Sequence, residues 1–141
     1  MGQLGDGTYV NKRTAPVEVS NLDGAQLKAI AGGDTHSLAL KDDGTVWAWG
    51  GNLNGELGNG TTTSSSTPVQ VSDLDGVTAI AVDGHSLALK DDGTVWAWGD
   101  NRYGQLGIGS DVIGVNAPMQ VSGLDGVKVI AAGSDHSLAG E

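Results

Sequence analysis

The sequence has no cysteine and few basic residues, and it has no long apolar run. Without cysteine, the chain cannot form disulfides, thiol nucleophiles or the usual structural zinc sites. Its 7 Lys and Arg against 17 Asp and Glu give a net charge of −10, which repels nucleic-acid phosphates and anionic lipid. No apolar run approaches the roughly 20 residues that cross a bilayer. We therefore expect neither nucleic acid nor membrane as a partner, and both the cytoplasm and a bacterial exterior remain open as compartments.

Glycine and aspartate dominate what is present. The chain has 24 Gly among its 141 residues, and its 14 Asp far outnumber its 3 Glu. Both residue types accept the left-handed backbone angles of tight turns, and neither favours a helix interior. The composition predicts an all-β fold with many short strands.

Three internal repeats account for nearly the whole sequence. The fifteen residues HSLALKDDGTVWAWG occupy 36–50 and recur without change at 85–99. The stretch begins at His36. Its equivalents are His85, 49 residues later, and His136, a further 51 residues on, so the repeat is about 50 residues long. Two further motifs share this period. The first occurs as GQLGDGT, GELGNGT and GQLGIGS, and the second as PVEVS, PVQVS and PMQVS. Repetition at this period predicts stacked structural units.

Each repeat is interpreted as one blade of four antiparallel strands. The pattern places strands at PVEVS, LKAIAGG, HSLALK and TVWAWG, with KDDG as a hairpin turn. We expect a single array over 1–141, with units at about 2–54, 55–103 and 104–141, the last of them incomplete. This predicts a partial propeller of about 2.8 blades, with four, four and three strands.

The motifs I-A-x-G-x-x-H-S-L-A-L, D-G-x-V-x-x-W-G and N-x-x-G-Q-L-G resemble the regulator of chromosome condensation repeat family. The resemblance implies a β-propeller, which in this family has seven blades. We do not expect nucleotide exchange on a small GTPase, the activity of the founding member, because the sequence has neither a loop wedge outside the repeats nor basic segments. An acidic chain with near-identical repeats is most similar to the bacterial members, which bind proteins through loops on one rim.

The histidines and tryptophans are interpreted as structural residues. His36, His85 and His136 recur once per blade at a strand start, where the ring can hydrogen-bond to neighbouring backbone. Large aromatic residues on one strand face are usually packing residues. We therefore predict that four tryptophans pack between blades: Trp47, Trp49, Trp96 and Trp98. No catalytic constellation, cofactor motif or complete calcium loop is present in the sequence, so we expect no enzyme, no cofactor and no metal site.

The sequence leaves two classes of function. The first is a non-enzymatic module that binds proteins through the loops 51–67 and 100–117, with Asn101, Arg102 and Tyr103 as the candidate contact residues. The second is a purely structural self-assembling fragment or engineered repeat protein without a foreign ligand. In either case fewer than three blades expose apolar faces at both ends. We expect other copies of the chain to associate head to tail and cover them.

Overall fold

The described part of the chain forms ten short β-strands. The computed structural model describes residues 1–10, 12–22, 24 and 26–141. No helix among these residues is long and apolar enough to cross a membrane. The ten strands are β1 (Leu27–Gly32), β2 (His36–Lys41), β3 (Val46–Gly50), β4 (Ser65–Gln70), β5 (Val77–Val82), β6 (His85–Lys90), β7 (Val95–Asp100), β8 (Gly114–Gln120), β9 (Val129–Gly133) and β10 (His136–Gly140).

The strands form three antiparallel sheets, which we call blades 1, 2 and 3. Blade 1 has the order β1-β2-β3-β4, blade 2 has the order β5-β6-β7-β8, and blade 3 pairs β9 with β10. A tight hairpin joins β2 to β3, in which the Asp43 carboxylate accepts hydrogen bonds from the amide and hydroxyl of Thr45. Gly44 lies between them at φ 81°, a left-handed conformation that favours glycine. The expected all-β fold with four-stranded antiparallel blades is confirmed.

The fourth strand of blades 1 and 2 comes from the following sequence repeat, which corrects the predicted strand order. PVQVS contributes to β4, which pairs with β3 through Trp47 opposite Gln70 and Ala48 opposite Val69. PMQVS contributes to β8 in the same way. The first copy, PVEVS at 16–20, forms no strand. The blades therefore have four, four and two strands, and the connecting loops are 51–64 and 101–113 rather than 51–67 and 100–117.

Neighbouring blades pack face to face. We call the side of a blade that faces the next blade along the chain its front face, and the opposite side its rear face. Leu38 and Leu40 lie on the front face of blade 1 and share a buried cluster with Ala88 and Trp98 from the rear face of blade 2. Leu87, on the front face of blade 2, packs in the same way towards blade 3. The core consists of these interfaces, as the alternating pattern of HSLALK predicts.

Candidate functional site

The backbone carbonyl of Glu56 links the loop between β3 and β4 of blade 1 to the rear face of blade 2. It accepts hydrogen bonds from the Ser86 hydroxyl at 3.2 Å and from the Trp98 indole Nε1 at 2.9 Å. The indole lies so close to Gly58 that a Cβ there would be 2.7 Å from Nε1, and Val71 packs beside it. Gly58 itself has φ 62°. The G-x-L-G motif thus provides both an acceptor and the space for one buried tryptophan.

The same arrangement recurs at both ends of the chain, with one difference. The carbonyl of Gln3 accepts from the Ser37 hydroxyl at 3.0 Å and from Trp49 Nε1 at 2.8 Å. The carbonyl of Gln105 accepts from the Ser137 hydroxyl at 2.6 Å. No indole among the described residues contacts this third carbonyl, so one of its two expected donors is not supplied.

Histidine side chains join each blade to the next. His36 Nε2 lies 2.7 Å from the Ser86 hydroxyl, and His85 Nε2 lies 2.6 Å from the Ser137 hydroxyl. Each serine gives its single proton to a backbone carbonyl, so it must accept from the histidine. Both rings therefore carry their proton on Nε2. The structural role predicted for these histidines rests on a serine hydroxyl in the next blade rather than on neighbouring backbone.

Burial keeps the two inner histidines neutral. It lowers the pKa of His36 to about 4, with a smaller contribution from the charge of His85. The pKa of His85 is also lowered, chiefly by burial, although the charges of Asp83 and Asp100 oppose the shift. Across the described parts of the chain, no group of three or more His, Cys, Asp or Glu residues could hold a metal ion. The geometry favours interblade contact over chemistry at these rings.

The four tryptophans divide into two environments. Trp98 is fully buried between blades 1 and 2, and Trp49 is buried against the N-terminal segment through Gly5 and Val19. Trp47 and Trp96 are half-buried, and each lies under a lysine ammonium group, 4.0 Å and 5.3 Å from the ring centre. Trp98 thus occupies the interblade position that the sequence predicted for all four, and Trp96 packs against the same interblade cluster while remaining half-buried. Trp49 instead packs against the N-terminal segment.

The loop residues Asn101, Arg102 and Tyr103 have different roles. The Asn101 amide is buried, donates to two carbonyls of its own loop and accepts from the Leu106 amide. It therefore shapes the loop, which differs from the predicted contact role. Arg102 is paired with Asp100, with 2.7 Å between the charged atoms, and its side chain is 59% exposed. Tyr103 is 71% exposed. Two of the three predicted contact residues are thus accessible to a partner.

The outer faces of blades 1 and 3 carry uncovered apolar side chains. Ile30 lies on the rear face of blade 1 and is 74% exposed, whereas its counterparts Ile80 and Ile130 pack against the preceding blade. Leu138 lies on the front face of blade 3 and is 61% exposed, whereas its counterpart Leu87 is 1% exposed. Each outer face therefore exposes an apolar side chain whose counterparts in the inner interfaces are covered by a neighbouring blade.

The polar side chains on the two outer faces are also counterparts of residues that meet in the inner interfaces. His136 is exposed at the start of β10, where His36 and His85 are buried and bonded to serine. Ser37 lies on the rear face of blade 1, at the position where Ser86 meets His36. The front face of blade 3 therefore offers the donor, and the rear face of blade 1 the acceptor, of one more interblade contact.

Sequence reasoning did not find the serine hydroxyls and the G-x-L-G carbonyls as partners of the histidines and tryptophans. Ser86 is 50 residues from His36, and Glu56 is 42 residues from Trp98. The signal was the joint repetition of H-S, W-G and G-x-L-G with one period. Such periodicity shows that these motifs belong to one unit, but it does not show which copies touch.

Comparison with known proteins identifies the repeats. The protein-family model described as regulator of chromosome condensation (RCC1) repeat matches residues 1–40, 43–89 and 92–139. The human E3 ubiquitin-protein ligase HERC2 is 42% identical over 81 residues, which cover 56% of this chain and 2% of HERC2. The matched region is therefore a very small part of that relative.

Solved structures match the fold over nearly the whole chain. Human WBSCR16 has a TM-score of 0.82 at 30% identity, with 94% of this chain and 36% of that chain covered. Yeast RCC1 (Prp20), solved with Kap60 bound, has a TM-score of 0.79 at 27% identity, with 99% of this chain and 36% of that chain covered. The chain thus spans about a third of the length of these two structures.

Proposed function

Because the chain belongs to the regulator of chromosome condensation (RCC1) repeat family, we propose that it is a non-enzymatic β-propeller module that binds proteins, other copies of itself among them. Copies associate head to tail, with the front face of blade 3 in one copy against the rear face of blade 1 in the next. The family fold generally serves protein interaction, and the yeast relative in the Kap60 complex is an example.

The observation that carries the proposal is the correspondence between the outer faces and the inner interfaces. The inner interfaces join a histidine and a leucine on a front face to a serine and an isoleucine on a rear face. The outer faces present His136 and Leu138 at one end and Ser37 and Ile30 at the other. Contact between them would repeat a packing that the chain already makes twice.

Burial of these side chains gives the expected strength of association. Covering Ile30, Val129 and Leu138, which are 60% to 74% exposed, contributes about 3 to 6 kcal/mol when the usual value for a fully exposed aliphatic side chain is scaled by these fractions. Loss of rigid-body freedom on association costs about 4 to 15 kcal/mol. The gain lies near the lower end of this cost, so we expect a weak association that is populated only at high protein concentration.

The exposed end of the loop 101–113, which we call the rim, offers a second surface that could bind a foreign protein. Tyr103 and Arg102 lie at the exposed end of the loop 101–113, and Asp100 holds the guanidinium in a fixed position. Tyrosine and arginine are enriched among residues that dominate protein interfaces. A purely structural assembly, natural or engineered, would not need these residues, so their replacement separates the two functions.

Light scattering coupled to gel filtration, over a hundredfold range of concentration, tests the self-association. The unchanged chain should increase in mass with concentration, and Ile30→Asp should stay a single chain at every concentration. Leu53→Asp is the matched control, because Leu53 is 77% exposed in a loop outside both end faces. A single-chain mass for the unchanged protein throughout the range would refute head-to-tail association and leave the rim as the binding surface.

A further inference from the structure

An exposed apolar groove of about 530 Å³ lies between the connecting loops 51–64 and 101–113. Leu53 lines it from the first loop, Val112 and Ile113 line it from the second, and β8 forms the remaining wall. The three side chains are 77%, 47% and 70% exposed. Each loop joins two strands of the same blade, so the groove is separate from the outer faces of blades 1 and 3.

The two loops provide an internal comparison for the apolar lining. Asn52 and Asn101 hold their loops in the same way, because each side-chain amide donates to two carbonyls of its own loop. The second of these carbonyls belongs to Thr63 in the first loop and to Val112 in the other. Thr63 is exposed. The loop therefore closes equally well with a polar residue at this position, and folding does not require the valine.

Ile113 lies at a one-residue insertion. The equivalent glycines Gly50 and Gly99 pair with Ser65 and Val115 on the fourth strand of their blades. The intervening chain spans 15 residues in blade 1, from 50 to 65, and 16 residues in blade 2, from 99 to 115. The longer loop thus presents an isoleucine that the shorter one lacks. Exposed apolar side chains that a loop does not need for its own folding are typical of a binding surface.

The groove continues into a cleft of about 480 Å³ whose charged side chains are mostly acidic. Leu53 and Asn54 line both cavities. Four carboxyl side chains line the cleft, namely Asp34, Glu56, Asp100 and Asp135. Among the described residues of this lining, Arg102 is the one basic side chain, and it is paired with Asp100 at 2.7 Å between the charged atoms. The apolar groove therefore adjoins an acidic surface, in a chain whose net charge is −10.

From these features we propose that the groove binds a positively charged segment of a partner protein, with an apolar side chain of that segment against Val112 and Ile113. Lysine or arginine side chains of the same segment lie over the neighbouring carboxylates. Opposite charge accelerates the encounter and fixes the orientation of the segment, and the apolar contact supplies affinity. The same negative charge repels nucleic acid and anionic lipid as occupants.

The inference deepens the proposed function, because it rests on the proposal that the chain binds proteins and states the chemistry of one partner. It concerns a different part of the loop 101–113 from the rim, since Tyr103 lies outside the lining of the groove. The end faces that would join copies of the chain take no part in it. The groove, the rim and the end faces can therefore be tested separately.

Fluorescence anisotropy of three labelled peptides, KRKLLKRK, KRKSSKRK and EDELLEDE, tests the chemistry of the partner. The anisotropy of the first peptide should rise on titration with the chain. The second peptide keeps the charge but lacks the apolar pair, and it should bind about tenfold more weakly. The third keeps the apolar pair with the opposite charge, and it should bind more weakly still because the cleft repels it.

Variants of the chain locate the bound peptide. Val112→Thr combined with Ile113→Ser introduces polar residues of the kind that loop 51–64 carries, so the fold should be kept while binding of KRKLLKRK weakens about tenfold. Val10→Thr is the matched control, because Val10 is 50% exposed outside the groove. Asp135→Asn should weaken binding about threefold, whereas Asp42→Asn, in the hairpin at the opposite end of the blades, should leave it unchanged.

Three results would overturn the proposal. They are equal binding of KRKLLKRK by the double variant and the unchanged chain, equal binding of the basic and acidic peptides, and absence of binding by any of the three. Loss of binding in Tyr103→Ala but not in the double variant would assign the peptide to the rim, which rejects the groove and keeps the proposed function. Self-association is judged separately, from the mass of the unchanged chain.

Discussion

Acid should weaken the fold through His36. Its pKa is about 4 in the folded chain and 6.5 in the unfolded chain. Between these two pH values the imidazole is protonated in the unfolded chain but neutral in the folded chain. The contribution of His36 to stability is therefore complete above pH 6.5 and is lost as the pH falls towards 4. The linkage relation gives a loss of about 2 kcal/mol at pH 5, rising to about 3 kcal/mol below pH 4.

Urea unfolding at pH 7 and pH 5, followed by far-ultraviolet circular dichroism, measures this loss. His36→Gln retains an amide that can donate to Ser86 but does not titrate, so its stability should fall by about 2 kcal/mol less between the two pH values than that of the unchanged chain. The carboxylates of Asp43 and Asp92 interfere little, because hydrogen bonds from threonine lower their pKa values. His136→Gln, at an exposed position, is the control for replacement of any histidine.

An equal pH dependence in His36→Gln and the unchanged chain would refute the reasoning. It would mean that the His36 ring accepts a proton in the folded state without breaking its contact with Ser86. A loss that persists in His36→Gln but disappears in His85→Gln would move the effect to the second interblade histidine, whose pKa is also lowered.

Three further predictions concern the tryptophan, the loop amide and the rim. Trp98→Ala should lower the free energy of unfolding by about 3 to 5 kcal/mol in urea titration, and a change below about 1 kcal/mol would contradict its interblade role. Asn101→Ala should cost about 2 kcal/mol, because it leaves three backbone groups of the loop without their partner. Replacement of Tyr103 by alanine should keep the melting temperature within about 2 °C while weakening capture of a rim-binding protein, and a large loss of stability would instead mark it as structural.

Most of the strands could be predicted from the sequence. The alternation in HSLALK and TVWAWG and the KDDG turn between them define a hairpin from local information alone. Which blade receives PVQVS could not be predicted in the same way. A repeated sequence fixes the length of its period but not the point at which one structural unit ends, and β4 pairs backwards with β3.

The candidate site was predictable only in its residue types. The recurrence of His36 and Trp98 indicated structural roles, but their partners Ser86 and Glu56 are brought close by packing of separate blades. For Asn101 the sequence predicted a role that its environment in the structure does not favour. Its position in a loop suggested exposure, whereas its amide is buried because the loop folds around it.

The placement of the fourth strand has a consequence for how such arrays lengthen and shorten in evolution. Residues 36–50 and 85–99 are identical, so unequal crossing-over anywhere within these fifteen residues removes or adds 49 residues. The strand that completes the sheet always comes from after the exchange point, because β4 and β8 follow these stretches and occupy the same place in their blades. The shorter product of such an exchange therefore still contains one complete four-stranded sheet and the longer product three, so blade number changes by whole units.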